Sequence, residues 1–135
     1  MGAGSLMPNH PNTNQLITFL QTDRFEETVV YYTETLGFEL ALSKAHCRII
    51  KVSPGAFLGI CESENPMPDT RRVTVSIQSR DIDGWYEKVT AAGLKTDGVP
   101  RRSEAYGINH FFTWDPSGYS VEFQEFFIPE WDHDA

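Results

Sequence analysis

Short runs of alternating hydrophobic and polar residues in the first half of the chain predict one strand, one helix and three further strands. Gln15–Gln21 is rich in Leu, Ile, Thr and Phe, which favours a strand, and Phe25–Thr35 has the pattern of a helix that Gly37 would end. Three more strand-like runs follow, over Phe38–Ser43, Cys47–Val52 and Ala56–Cys61. The first half therefore predicts a β-α-β-β-β unit.

The second half repeats this order of elements. Val73–Gln78 predicts a strand, and Ile82–Ala92 predicts a helix that begins after Asp81 and ends at Gly93. The remaining runs are a weak strand near Leu94–Thr96 and a hairpin of Ile108–Trp114 and Tyr119–Phe126 around the turn Asp115-Pro116-Ser117-Gly118. Internal repetition at this scale is a signal of the fold.

Matching positions align the two halves. Gln21-Thr22 and Gln78-Ser79 each close a predicted first strand, and they are 57 residues apart, the difference between 78 and 21. One copy cannot bury both faces of a four-stranded sheet, so we expect the two copies to complete each other. We predict an α+β fold of two tandem βαβββ modules. The predicted bounds are 1–13 for a disordered lead-in, 14–66 and 70–127 for the modules, and 128–135 for an acidic tail.

Composition and charge limit the classes of binding partner that we expect. Hydrophobic residues make up 40% of the 135 positions, and no run has the length of a membrane span or the pattern of a secretory signal, so we expect a cytoplasmic protein. The net charge of −8, from 19 acidic and 11 basic residues, repels nucleic acid and anionic membranes. We therefore expect neither as a partner. The acidity is compatible with solubility alone or with attraction of a cationic ligand.

Two stretches resemble the glyoxalase/bleomycin resistance/extradiol dioxygenase (vicinal oxygen chelate) superfamily. TDRFEETVVYYTETLGFEL at 22–40 is similar to the family's first helix, and FFTWDPSGYSVEFQEF at 111–126 is similar to its terminal hairpin. The resemblance covers about residues 15–127. It implies modules whose mixed sheets form a cup with the helices on the outer face, and a homodimer. It also implies a divalent metal (iron, nickel, zinc or manganese) held by the first and last strands of each module.

The ligand positions that the resemblance implies are mostly filled by weak donors. Strand alternation predicts these cup-facing residues in the two first strands: Leu16, Thr18, Leu20, Thr74 and Ser76. Ile17 and Phe19 would face the helix instead. The family's first metal ligand falls at Leu16, or at Gln15 after a slip of one residue, and its counterpart in the second module is Thr74. These residues are poor donors for a transition metal.

Glu122 is the main candidate for chemistry. By resemblance it matches a metal-binding or base glutamate, and alternation directs it into the cup. Its counterpart is Gly59, because Gly118 matches Gly55, and glycine has no donor side chain. In an apolar cup Glu122 could serve as general base or acid. The alternative is an ion pair with a residue such as Arg101 that supports the sheet.

His110 is the other possible metal ligand. If Trp114 pairs with Tyr119 across the turn, Phe111 lies opposite Glu122 and His110 faces the helix. A β-bulge would reverse this orientation. A metal held by His110 and Glu122 alone would need water or substrate to complete its coordination.

Aromatic and basic residues complete the predicted pocket. Phe57 and Phe111 would form apolar walls, and Arg101 with Tyr106, in the loop before the last hairpin, could hold an anionic or aromatic ligand. Solvation of that loop is the alternative. Equal counting from the Ser53-Pro54-Gly55 turn pairs Cys47 with Cys61, either as two small buried residues or as a redox or soft-metal pair.

The residues favour a small-molecule-binding protein of this family, with a largely apolar cup and without the standard metal site. The alternative is a lyase, isomerase or dioxygenase that uses Glu122 as metal ligand or general base.

Overall fold

The computed structural model of the protein describes residues 9–11, 13–64 and 73–128. The first module consists of β1 (Leu16–Thr22), α1 (Phe25–Val30), β2 (Glu39–Lys44), β3 (Cys47–Ser53) and β4 (Ala56–Glu62). The second consists of β5 (Thr74–Gln78), α2 (Ile82–Ala91), β6 (Arg101–Ser103), β7 (Ile108–Trp114) and β8 (Ser120–Phe126). Most of the predicted lead-in, the acidic tail from residue 129 and the connection over 65–72 lie outside the described residues.

Each module forms one four-stranded mixed sheet. The strand orders are β1-β4-β3-β2 and β5-β8-β7-β6, with the first and last strands of each module parallel and the other neighbours antiparallel. This arrangement confirms the predicted α+β fold of two βαβββ modules. Within the described part of the chain, neither the helices nor their extensions are long and apolar enough to cross a membrane.

The weak strand predicted near Leu94–Thr96 is wrong. That segment makes a single bridge, from Thr96 to Thr113, and the second strand of the module, β6, begins at Arg101. Asp97 replaces part of the strand pairing, because its carboxylate accepts a hydrogen bond from the backbone N–H of Phe112 at 2.8 Å. Local sequence pattern could not reveal this contact, since it joins residues on different elements.

One face of each sheet packs against the helix of its own module. In the second module, Trp85 of α2 stacks on Phe123 of β8 with ring centroids 4.7 Å apart, and Tyr86 meets the edge of Phe111 at 5.2 Å. Most of the buried hydrophobic residues of the two modules form one cluster. Among the described residues no helix covers the opposite face of either sheet, and we call it the open face of that module.

Polar contacts join the two modules at the turn between β7 and β8. Tyr32, in the π-helical turn Tyr31–Thr35 that continues α1, donates a hydrogen bond to buried Asp115 at 2.8 Å. Tyr119 donates to the carbonyl of Gln21 at 3.0 Å, and Ser117 bonds to Thr28 at 3.0 Å. The turn that closes the last hairpin therefore also anchors the second module to the first.

This turn is one residue longer than predicted. Trp114 pairs with Ser120 instead of Tyr119, and Asp115 N–H bonds to the carbonyl of Tyr119 at 3.0 Å, so five residues form the loop. Gly118 has φ +94, a backbone region that glycine adopts without strain. The extra residue moves the pairing of the whole hairpin by one position, which decides the geometry of the candidate site.

Candidate functional site

The open face of the second module holds a cavity of about 630 Å³. Its lining combines aromatic and aliphatic side chains with a small polar group, and consists of Glu104, Ala105, Tyr106, Gly107, Ile108, His110, Phe112, Glu122, Gln124, Phe126 and Ile128. We call it the main cavity. A volume of this order suits a drug-sized ligand.

Glu122 and His110 form the polar centre of the main cavity. The Nδ1 atom of His110 lies 2.8 Å from Oε2 of Glu122, and the two side chains are only 16% and 12% exposed. The other carboxylate oxygen, Oε1, accepts hydrogen bonds from Gln124 at 2.9 Å and from Ser76 at 3.1 Å. Three side chains thus hold this carboxylate in one orientation. The other imidazole nitrogen of His110, Nε2, does not bond to Glu122.

The hairpin register brings this pair together, and the sequence-based orientation of His110 was wrong. Phe112 lies opposite Glu122 and His110 lies opposite Gln124, so His110 shares the open face with Glu122. Diagonal neighbours on one face of an antiparallel pair can contact each other, as His110 and Glu122 do. Phe111, predicted to line the pocket, points to the other face, where it is fully buried and stacks on Phe123.

Five other predicted site residues meet at a second cavity of about 330 Å³ between the first strands of the two modules. These residues are Leu16, Thr18, Phe57, Thr74 and Ser76. Ser76 links the two cavities, because it lines the second and bonds to Glu122 in the main cavity. Leu16 is 70% exposed, and Thr74 bonds to Ser120 of β8 at 2.8 Å.

The remaining predicted residues divide between the main cavity and its surroundings. Tyr106 lines the main cavity, whereas exposed Gln15 precedes β1 and lines neither cavity. Arg101 lies opposite His110 but donates to both carboxylate oxygens of Asp97. That contact holds the pKa of Asp97 below its usual range, and it raises the pKa of Arg101 with a smaller contribution from the charge of Glu122. Arg101 therefore already has a carboxylate partner.

The first module has a different set of residues at the equivalent positions. Ser76 pairs with Glu122 in the second module, and Phe19 pairs with Gly59 in the first. A Cβ atom at position 59 would lie 2.4 Å from the ring of Phe19, so this ring occupies the space above the glycine. The positions that match His110 and Gln124 are Cys47 and Cys61, which also lie opposite each other.

This comparison corrects the predicted orientation of β1. Phe19, opposite Gly59, lies on the open face with 53% exposure, whereas Leu20 is buried in the common core. The alternation therefore places Leu16, Thr18 and Leu20 on the helix side, and Ile17 with Phe19 on the open side. The repeat offset of 57 already contained this information, because it matches Phe19 to Ser76 and Ile17 to Thr74.

The donor set does not fit the metal site that the resemblance implies. Within the described ranges no group of three or more His, Cys, Asp or Glu side chains could hold an ion. Glu122 and His110 bond to each other, and the equivalents of Glu122 and Ser76 in the first module are a glycine and a phenylalanine. A protein metal site usually needs three or four ligands that converge on one point.

Several lining residues were absent from the sequence-based site. Gln124, Phe112, Phe126 and Ile128 line the main cavity. Gln124 and Phe126 follow from alternation with Glu122 along β8, so period two alone identifies them. Phe112 could be predicted only from the length of the turn between β7 and β8, which no local pattern specifies.

Comparisons with known proteins agree with this fold. The model of the Glyoxalase/Bleomycin resistance protein/Dioxygenase superfamily matches residues 13–123. A glyoxalase/bleomycin resistance protein/dioxygenase from Nocardioides has 20% identity and a TM-score of 0.73, with 93% of this chain and 91% of that chain covered. Lactoylglutathione lyase from Agrobacterium tumefaciens has 20% identity and a TM-score of 0.69, with 86% and 96% covered. TnmS3, an antibiotic binding protein from Streptomyces sp. CB03234, has 20% identity and a TM-score of 0.70, with 87% and 98% covered. A comparison with curated protein sequences gave no match.

Proposed function

The chain belongs to the Glyoxalase/Bleomycin resistance protein/Dioxygenase superfamily, and we propose that it is a member that binds a small, largely apolar molecule in the main cavity. The observation that carries this proposal is the His110–Glu122 pair, held by Ser76 and Gln124 in an otherwise mostly apolar wall. A largely buried carboxylate is costly unless donors compensate it, so a pair organised in this way is typical of a binding site.

The lining indicates the chemistry of the ligand. Phe112, Phe126 and Ile128 offer an apolar surface for an aromatic or aliphatic body, and His110 offers one ring nitrogen to a polar group. The net charge of −8 and the carboxylate of Glu122 disfavour an anion. We therefore expect a neutral or cationic ligand with an aromatic body and a single polar anchor.

An enzyme is the second candidate, and the contact between His110 and Glu122 specifically favours it. A carboxylate bonded to one imidazole nitrogen orients the ring, so that the other nitrogen can act as general base or acid. A lyase or isomerase that moves one proton needs no more than this pair and a positioned substrate. Among the structural neighbours are both an antibiotic binding protein and a lactoylglutathione lyase, so this fold accommodates both functions.

A ligand screen with one matched pair of variants tests the binding proposal. A panel of neutral and cationic aromatic compounds is screened by ligand-observed NMR, and each compound that binds is measured by calorimetry against Phe112→Ala and Trp114→Ala. Both residues lie on the open side of β7, but only Phe112 lines the main cavity. Loss of the Phe112 ring is expected to weaken binding about 10- to 100-fold. Trp114→Ala should change it less than about twofold.

Two results decide between the candidate functions. Equal weakening by Phe112→Ala and Trp114→Ala, or no binder in the panel, would exclude the main cavity as the binding site. If a bound compound is chemically converted, His110→Gln should abolish turnover, and turnover that survives this substitution would refute a catalytic role for the pair. Stoichiometric binding without conversion supports a binding protein.

We also propose that a second copy of the chain covers the open face of the first module. Phe19 and Leu42 are 53% and 50% exposed there, and Leu42 pairs with Ile49 of β3. Exposed apolar side chains clustered on one sheet face are typical of an interface.

We also propose that the protein is located in the cytoplasm.

A further inference from the structure

Cys47 and Cys61, the only cysteines of the chain, face each other across the hairpin of β3 and β4. Their Sγ atoms are 3.1 Å apart, and both residues are half-buried free thiols. The sequence leaves open whether this pair consists of two small buried residues or has a redox or soft-metal role. The structure supplies the distance and the orientation that the sequence lacked.

The pairing geometry suits a covalent link. Glu62 N–H donates to the carbonyl of His46 at 2.9 Å, so residues 46 and 62 form a hydrogen-bonded pair and the adjacent pair, 47 and 61, is non-hydrogen-bonded. In such pairs the Cα atoms are about 4.5 Å apart, within the range that a disulfide spans. The sulfurs need to approach by about 1 Å to reach bonding distance.

The thiols lie on the open face and not in the common core. Ile60 of β4, next to Cys61, is fully buried on the helix side, so alternation places Cys61 on the open side. The pair occupies the positions that His110 and Gln124 hold beside Glu122 in the second module. A small oxidised or reduced thiol compound can therefore reach the pair in the monomer without unfolding of the core, and a dimer that covers this face would first have to dissociate.

We propose that Cys47 and Cys61 form a reversible intramolecular disulfide by exchange with an oxidised low-molecular-weight disulfide such as glutathione disulfide. The thiolate of one cysteine attacks one sulfur of the reagent, the reagent's S–S bond breaks, and the first glutathione leaves and takes up a proton. The second cysteine then loses its proton and attacks its neighbour's sulfur, and the second glutathione leaves. Two protein thiols are oxidised by two electrons, and one glutathione disulfide is reduced to two glutathione molecules.

The structure also predicts the order of rates. Burial, together with the hydrogen bond to Cys47, raises the pKa of the Cys61 thiol to about 11, so few Cys61 thiolates exist near neutral pH. Attack by Cys61 should therefore be slow near neutral pH and accelerate as the pH rises. Once a mixed disulfide has formed, the neighbouring sulfur is already in contact, so ring closure should be faster than the first step.

The test uses the full chain and glutathione disulfide as the probe. Reduced protein is incubated in mixtures of glutathione and glutathione disulfide, the reaction is stopped with acid, free thiols are alkylated, and the intact mass is measured. We expect two species, one with two alkylated thiols and one with none that is lighter than the reduced chain by about 2 Da before alkylation. Trypsin should release Ala45–Arg48 joined to Val52–Arg71, and a dithiol reductant should restore both thiols.

Cys47→Ser and Cys61→Ser are the matched variants. Each keeps one thiol and is expected to end as a stable mixed disulfide with glutathione, a species that the unsubstituted chain should not accumulate. The proposal is overturned if the unsubstituted chain also ends with attached glutathione, if it links to a second copy, or if both thiols stay alkylatable in the most oxidising mixture. Retention of the far-ultraviolet circular dichroism spectrum in each variant shows that the sheet persists.

Discussion

Replacing Asp115 by alanine should destabilise the protein more than any other single loss of an acidic side chain that we consider. Asp115 is 4% exposed and accepts hydrogen bonds from the hydroxyl of Tyr32 at 2.8 Å, the N–H of Ser117 at 2.9 Å and the N–H of Tyr119 at 3.0 Å. It therefore organises the turn between β7 and β8 and also joins that turn to the first module. Asp115→Ala leaves all three donors without this acceptor.

The magnitude follows from the donors that are left unpaired. A buried donor without a partner costs about 1–3 kcal/mol, and such losses do not add fully within one network. Removal of the carboxylate also relieves its desolvation, the main reason why the pKa of Asp115 is raised. We expect a net loss of about 3–4 kcal/mol in the free energy of unfolding, out of a total of roughly 5–15 kcal/mol. Tyr32→Phe removes one donor and should cost about 1–2 kcal/mol.

Urea denaturation followed by tryptophan fluorescence measures these losses, because Trp85 stacks on Phe123 in the core. Asp83→Ala is the matched control, since Asp83 is an exposed acid in the first turn of α2 and should change stability by less than about 0.5 kcal/mol. If Asp115→Ala unfolds at the same urea concentration as Asp83→Ala, the turn does not depend on its carboxylate. A loss for Tyr32→Phe that exceeds the loss for Asp115→Ala would also refute the reasoning.

Three further predictions concern pH, packing and assembly. Burial raises the pKa of Asp115 above its ordinary value of 3.8, so the folded state binds the proton more tightly than the unfolded state does. The free energy of unfolding should therefore fall, relative to that of Asp115→Asn, as the pH rises from 3.8 through the raised pKa. A difference between the two proteins that does not depend on pH would contradict this. Gly59→Ala should cost about 1–3 kcal/mol because its Cβ meets the ring of Phe19, and adding Phe19→Ala should remove most of that penalty in a double-mutant cycle. Leu42→Glu should lower the mass measured by light scattering from twice 15.3 kDa to 15.3 kDa if the open face of the first module is a dimer interface, and an unchanged mass at equal fold content would exclude that face.

The sequence was sufficient for the order of elements, because that order depends on local patterns. Period-two runs, the glycines that end the helices and the repeat offset of 57 together predict two βαβββ modules, which the structure confirms. The strand predicted at Leu94–Thr96 is wrong, since β6 begins at Arg101. Near this segment, the carboxylate of Asp97 bonds to Phe112 on another element. No period in the sequence encodes such a contact.

The local sequence pattern did not determine the register of β7 and β8. A four-residue turn predicts Phe111 opposite Glu122, whereas the five-residue turn places Phe112 there and turns His110 towards Glu122. The longer loop is held by contacts distant in sequence, since Tyr119 bonds to Gln21 and Tyr32 bonds to Asp115. Because successive side chains of a strand point to opposite faces, one extra residue in the turn exchanges the side chains of β7 between the two faces.

The pseudo-symmetry of the modules explains why both candidate sites lie on the open faces. On the helix side, Phe111 stacks on Phe123 and Trp85 stacks on Phe123, so a change of volume there disturbs the common core. On the open side, equivalent positions hold His110 and Gln124 in one module and Cys47 and Cys61 in the other, within the same pattern of strand pairing. One fold can therefore hold a hydrogen-bonded imidazole and a dithiol at matching positions, because these positions lie outside the common core.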